Sequence, residues 1–307
     1  MKAANLSPLD IIKMFEKAKI PNKISEIEYL NKGGQKTVYK CKIDDIYYAL
    51  KIIEIETVET TSEENLTTQD FVSEIFSRAK REIDIMRMCE SEYLVQLGPI
   101  GLTYTNYLGA KLIFYTEDLI TGESLDNILR SRKLSEQEGL DLSLNITSAI
   151  NSLWEIGMVH RDIKPQNIMM NTDGKFILLD AGIAFDTKGE TLTRTFHLVG
   201  TPIYMSPEQV ESRRTDLDFR SDLYLLGLVL YQGLTGKHPY YEVGMNSVQI
   251  ANKIVESTPP RFNEINISIN TNFEKVIYRL LSYQPHLRFR SCDSLQDKLY
   301  KIKGEIL

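Results

Sequence analysis

The 307-residue sequence predicts an α+β protein of two lobes, with strands gathered in the front part and helices in the back. Three observations carry this. Up to about residue 117 the apolar residues fall mainly in short strand-like runs, whereas after Gly122 they recur mainly at helical spacing. No repeat and no proline-rich or serine-rich linker divides the chain. Its length suffices for two sizeable cores, and the cleft between two lobes is where a ligand is expected. The expected organisation is an N-terminal helical extension over residues 1–25 and one domain over 26–307. That domain has an N-lobe at about 26–117 and a C-lobe at about 122–307.

The elements follow in order. Ser7-Pro8-Leu9-Asp10 reads as a helix start, a serine cap with proline at the first helical position, and Leu9, Ile12, Met14 and Phe15 give that helix an apolar side to pack on the body. From Glu26 to Ile53 the pattern is of strands around a turn at Gly33-Gly34, with strands at Val38–Cys41 and Tyr47–Ile53. Glu54–Gln69, rich in threonine and glutamate, reads as a solvated insertion. Phe71, Ile75, Ala79, Ile83 and Met86 mark one face of a helix, and Lys111–Tyr115 a further strand. Ser135-Glu136-Gln137-Glu138 is a capping box opening a long helix that buries Leu142, Ile146, Ile150 and Leu153. Phe176–Leu179 is a short apolar strand, and Asp222–Thr235 is apolar enough for a buried helix.

Composition narrows the partners. The formal charge of −6 gives no electrostatic reason to expect nucleic acid or an anionic membrane. Cys41, Cys89 and Cys292 are scattered and form no CxxC pair, which argues against a disulfide framework or zinc site and for a reducing cytoplasm. No stretch approaches the roughly 20 apolar residues of a membrane span, and MKAANLSPLD lacks the apolar core of a signal peptide. Oligomeric state is not legible in the sequence.

The chemistry concentrates in His160-Arg161-Asp162-Ile163-Lys164-Pro165-Gln166-Asn167. Phosphoryl transfer needs an aligned hydroxyl, counter-charge on phosphates and metal ligands. Asp162 can orient a hydroxyl and take its proton, Lys164 can neutralise phosphate charge, and Asn167 offers an oxygen to magnesium. Asp180 follows at the end of an apolar strand, where a carboxylate suits a hard cation.

On these residues the sequence resembles a eukaryotic-type (Hanks-type) Ser/Thr protein kinase of bacterial flavour, from about residue 26 to the C-terminus, with the motifs in the family's order. The resemblance implies the bilobal protein-kinase fold, ATP and Mg2+ as cofactors, and protein substrates with serine or threonine acceptors. It implies that Lys51, in Ala49-Leu50-Lys51, holds the α/β-phosphates and that Glu82 pairs with it. Leu94-Val95 resembles the strand that follows the glutamate helix. Gly200 to Glu208 resembles the end of an activation segment, Glu208 pairing with a buried Arg288, and Asp222 resembles the acid that anchors the catalytic loop. Lys164 and Thr201 accompany Ser/Thr specificity in the family. Thr193 and Thr195 match an activating phosphorylation doublet, with Arg161 as the phosphate's partner.

Leu30 to Val38 aligns with the phosphate loop, so Gly33, Gly34, Val38 and Ala49 join Lys51 and Glu82 as nucleotide-site candidates. Asn31 and Lys36 replace the first and third glycines. Asparagine tolerates a left-handed backbone, and Lys36 faces either the phosphates or water. Ala181 stands where the family has phenylalanine, leaving space that Met86 can fill. The residue behind the adenine is Glu117 or, with a gap, Thr116. Glu123 is a ribose or substrate contact or a first-turn acid of a helix. The rival function is a pseudokinase scaffold that binds nucleotide or partners without turnover; a small-molecule phosphotransferase fits the C-lobe motifs less well.

Overall fold

Ser7 caps helix α1 (Pro8–Lys17): its hydroxyl accepts from the Asp10 backbone N–H while the Asp10 carboxylate takes the Ser7 N–H. The helix buries Ile11, Met14 and Phe15 and leaves Leu9 exposed. Residues 11, 14 and 15 lie on one side of a 3.6-residue turn and Leu9 on the other, so the inward face differs from the expected one: Ile11 takes the buried place, Ile12 is only partly buried and Leu9 is exposed. Each fully buried side chain of this size contributes roughly 1.5–3 kcal/mol.

A computed structural model describes residues 6–33, 36–55, 68–180, 185–186, 203–213 and 217–306. It divides into two compact units, Met1–Met88 with Val95–Ile120, and Cys89–Leu94 with Thr121–Leu307. Gly34, residues 56–67 of the expected insertion Glu54–Gln69, Ala181, Thr193, Thr195 and Thr201 lie outside the described residues, while the ends of that insertion belong to the strand Ile46–Ile55 and the helix Thr68–Met88.

The first unit is built on strands β1 (Ile24–Gly33), β2 (Lys36–Ile43) and β3 (Ile46–Ile55), helix α2 (Thr68–Met88), and strands β4 (Thr103–Tyr107) and β5 (Ala110–Asp118). The strands form one antiparallel sheet in the order β1-β2-β3-β5-β4. Ile11, Met14 and Phe15 share a core with Tyr39, Cys41, Leu50, Ile52, Leu112 and Phe114, so α1 covers one sheet face, and the Phe15 and Phe114 rings stack at 5.2 Å. Asn31 does not take the left-handed backbone; the irregularity is a register shift between Tyr29 and Asn31 opposite Tyr39 and Val38. No strand forms at Leu94-Val95. Leu94 makes an isolated bridge to Leu178 and Leu97 one to Glu117, and Gly98-Pro99 then removes the regular backbone a strand needs.

The second unit carries β6 (Gly122–Ser124), α3 (Leu125–Ser131), α4 (Glu136–Glu155), β7 (Met158–Val159), β8 (Ile168–Asn171), β9 (Phe176–Leu178), β10 (Phe185–Asp186), α5 (Pro207–Val210), α6 (Phe219–Thr235), α7 (Ser247–Glu256), α8 (Thr271–Leu280) and α9 (Cys292–Ile306). The Ser135 capping box opens α4, which buries Leu142, Ile146, Ile150 and Leu153. Helix α6 is buried almost all round, the mark of a central core helix, and ends at Gly236 in the left-handed conformation with φ 75°. Gly122 opens β6 at φ +154°, where a Cβ would stand 2.0 Å from the Met170 carbonyl oxygen, so no other residue fits that approach. Among the described residues no helix is long and apolar enough to cross a membrane.

Candidate active site

In the first unit, strand alternation decides which side chains meet. Tyr39, Cys41, Leu50, Ile52, Leu112 and Phe114 face α1, so Lys36, Val38, Ala49, Lys51 and Glu117 occupy the opposite face. Val38 pairs with Lys51 across β2 and β3, and Ala49 with Glu117 across β3 and β5. Helix α2 presents Glu82 to this face. Lys51 Nζ lies 3.3 Å from Glu82 Oε1 and 2.7 Å from Glu117 Oε2, while Lys36 Nζ lies 2.6 Å from Glu82 Oε2. Lys51, Glu82 and Glu117 are 5%, 1% and 4% exposed, so water screens these charges little. Burial pushes the Glu117 carboxyl up; the Lys51 ammonium opposes that and the Glu82 charge adds to it.

Thr116 points the other way: its hydroxyl accepts from Ile100 N at 2.9 Å and donates to Ile100 O at 3.3 Å. Of the two alternatives, Glu117 is therefore the residue beside Lys51. Lys36, between the two readings of phosphates and water, meets the Glu82 carboxylate of α2. Gly33 pairs with Lys36 where β1 meets β2.

In the second unit the octet forms a loop fixed from below by α6. Asp222, at 1% exposure, accepts from His160 N at 2.8 Å and from Arg161 N at 2.7 Å. Burial pushes the Asp222 carboxyl up, and the His160 ring and the two backbone N–H groups oppose the shift. These bonds hold Arg161 at φ +68°, a conformation unfavourable for a residue with a Cβ, and Gln209 of α5 donates to Arg161 O at 3.0 Å.

The strained turn aims Asp162 outward. Lys164 Nζ donates to both Asp162 carboxylate oxygens, at 2.9 and 2.7 Å. Asn167 Nδ2 donates to the Asp162 carbonyl at 2.9 Å and to Oδ2 at 2.8 Å, leaving its own carbonyl oxygen directed elsewhere. Pro165 opens a 3-10 turn over Pro165–Asn167, which brings Asn167 back onto the aspartate.

Asp180 is placed by its neighbour. Leu179 N donates to Asn167 O at 2.8 Å, and Leu179 O lies 3.1 Å from His160 Nε2. His160 Nδ1 accepts from Asp162 N at 3.3 Å, which puts the ring proton on Nε2, facing Leu179 O. With both polar groups of Leu179 engaged, the chain turns at Asp180 with φ +57°. Asp162, Lys164, Asn167 and Asp180 are thus gathered in one unit by the octet's turn and a backbone bond from Leu179.

Further expected positions are occupied as follows. Glu208 and Arg288 meet at 2.6 and 3.0 Å, both without solvent exposure. Glu123 lies exposed in β6 opposite Met170, ahead of the Ser124 cap, so the first-turn acid of α3 is Asp126 instead. Met86 is buried in the first unit. Three contacts went unread in the sequence: Glu117 with Lys51, Lys36 with Glu82, and Gln209 with Arg161. An acid inside the apolar run Leu112–Glu117 was the one signal available for the first.

The chain belongs to the protein kinase family: the protein kinase domain profile matches residues 24–300. It is similar to a probable serine/threonine-protein kinase of Clostridium acetobutylicum, 29% identical over 290 residues, 93% of this chain and 40% of that one. A probable serine/threonine-protein kinase of Streptomyces coelicolor is 30% identical over 223 residues, covering 72% and 32% of the two chains. A serine/threonine-protein kinase of Myxococcus xanthus is 34% identical over 202 residues, covering 63% and 37%. In these alignments the chain meets only about a third to two-fifths of each relative's length.

Proposed function

We propose that this chain transfers the γ-phosphoryl group of ATP to serine or threonine hydroxyls of proteins. The observation that carries the reading is the Asp162 carboxylate, contacted by Lys164 at 2.7 Å and Asn167 at 2.8 Å on a loop that Asp222 holds. Asp162 orients the acceptor hydroxyl and accepts its proton as the hydroxyl oxygen bonds to the γ-phosphorus and the bond to the bridging oxygen breaks, releasing ADP. Lys164 neutralises negative charge on the γ-phosphoryl oxygens at the same place. Lys51 sets the α- and β-phosphates in line, and Val38 and Ala49 line the base.

Magnesium fits the donor set. The Asn167 amide oxygen is left available because its nitrogen serves Asp162, and the Leu179–Asn167 bond keeps the Asp180 carboxylate close by; both are the hard oxygen ligands this ion takes. When bound, the ion neutralises phosphate charge. Regulation by phosphorylation of Thr193 and Thr195 belongs to the same reading.

The test is incubation of the purified chain with magnesium, γ-labelled ATP and a generic protein substrate, followed by phosphoamino-acid analysis. Label on serine or threonine supports the proposal. Nucleotide binding with no label would mark a scaffold instead, and label on a small alcohol alone a small-molecule phosphotransferase.

A further inference from the structure

Two of the charged side chains gathered with Lys51 stand where the family motifs do not place them. Lys36 occupies the position of the loop's third glycine, and Glu117 follows Ile113 and Tyr115 on the face of β5 opposite α1. They are not independent. Glu82 is closer to Lys36, at 2.6 Å, than to Lys51, at 3.3 Å, and Lys51 is closer to Glu117, at 2.7 Å. With Glu82 shared between Lys36 and Lys51, Glu117 gives the buried Lys51 a second carboxylate contact within the first unit. A buried ammonium without such compensation loses either its place or its charge.

We propose that Glu117 is a second positioning residue for Lys51 and that it offsets the share of Glu82 taken by Lys36. The proposal rests on the kinase reading of Lys51 given above. Lys51 is held from two sides, by α2 and by β5, so its ammonium stays where the phosphates need it even though the glutamate of α2 is divided between two lysines. Loss of Glu117 removes the nearer of the two carboxylates that Lys51 meets here and leaves Glu82 shared with Lys36, so Lys51 shifts. Loss of Lys36 in addition returns Glu82 to Lys51. The prediction is therefore a rescue by a second substitution, which general damage to the fold would not show.

Glu117→Gln keeps the side-chain shape and removes the charge. Steady-state transfer should fall about 10- to 100-fold in kcat, the range expected when a reacting group is displaced by about an ångström. Lys36→Met added to Glu117→Gln should bring kcat back to within about threefold of the Lys36→Met single variant, a strong non-additivity. A parallel arm needs no turnover: acetylation of Lys51 by a small N-hydroxysuccinimide ester, read by peptide mass spectrometry. Lys51 should be protected in the wild type, labelled faster in Glu117→Gln, and protected again in the double variant. Unchanged labelling of Lys51 in Glu117→Gln, or a double variant as impaired as Glu117→Gln alone, overturns the proposal. A wild type that transfers nothing while its Lys51 labelling follows the predicted order would overturn the kinase reading and leave the pairing in place.

Discussion

Replacing Arg288 by methionine should unfold the second unit at a much lower temperature. The guanidinium is buried, and all of its N–H groups are engaged. Nη1 meets Glu208 Oε1 at 2.6 Å and Arg220 O at 2.8 Å, Nη2 meets Glu208 Oε2 and Tyr283 O at 3.0 Å each, and Nε meets Ser282 O at 2.8 Å. Its plane also lies 4.8 Å from the Tyr224 ring centroid. Methionine replaces much of the stem but strands the Glu208 carboxylate with the Ser221 hydroxyl at 2.7 Å as its remaining side-chain donor. It also takes a donor from three carbonyls. Removing one partner of a buried pair costs roughly 3–5 kcal/mol, and the carbonyls recover part of their loss if water enters. A cost of about 4 kcal/mol in a unit of this size lowers the melting temperature by about 8–16 °C. Thermal and urea unfolding of the whole chain, followed by circular dichroism, reads this directly. Glu208→Gln should also destabilise, and the double variant should cost about 1–3 kcal/mol less than the sum, because the second change no longer strands a charge. A melting temperature for Arg288→Met within about 2 °C of wild type, or strict additivity in the double variant, would refute the reasoning.

Two further outcomes are expected. Burial among Tyr204 and Tyr240 pulls the His238 imidazole down from 6.5 to about 4, so its contribution to stability is complete above pH 6.5 and is lost as pH falls toward 4. The loss reaches at most ~3 kcal/mol, and His238→Asn, whose side-chain oxygen can accept from Tyr240 N in place of Nδ1, should lack that limb; parallel urea midpoints against pH for the two proteins would contradict this. Thr193→Ala with Thr195→Ala should cut transfer at least about tenfold, since a phosphate of about −1.5 to −2 charge orders a loop through an arginine such as Arg161; full activity after phosphatase treatment would remove this idea.

Much of the second unit's site was legible because its residues lie in one continuous segment. Asp162, Lys164 and Asn167 are within five positions of one another, and the 3-10 turn at Pro165 needs only local geometry to bring them together. The buried helix α6 was equally plain, because a run apolar on every side has no other stable place. The first unit was harder. Lys51 and Glu82 could be matched by motif order, but the division of charge among Lys36, Glu82, Lys51 and Glu117 depends on which strand faces point together. A single uncertain gap before Gly122 exchanges Glu117 for Thr116 and so reverses the face. The inward side of α1 departs from the expected one at Leu9 and Ile11 for a similar reason: in a short helix, one residue added at the start rotates the inferred stripe. The strand at Leu94-Val95 rests on the family resemblance, and the segment instead makes only an isolated bridge, with Gly98-Pro99 close behind as a local signal against a regular strand.

If the kinase reading holds, Asp162 acts on the acceptor hydroxyl rather than on the nucleotide. Asp162→Asn keeps the shape that Lys164 and Asn167 contact, and it removes the proton acceptor. With the activation segment phosphorylated, the wild type should label its protein substrate at least about a hundredfold faster than the Asp162→Asn variant, while the two bind ATP with magnesium within about threefold of each other and melt alike. Wild-type labelling no faster than that of Asp162→Asn, with both proteins folded and binding nucleotide, would contradict the account.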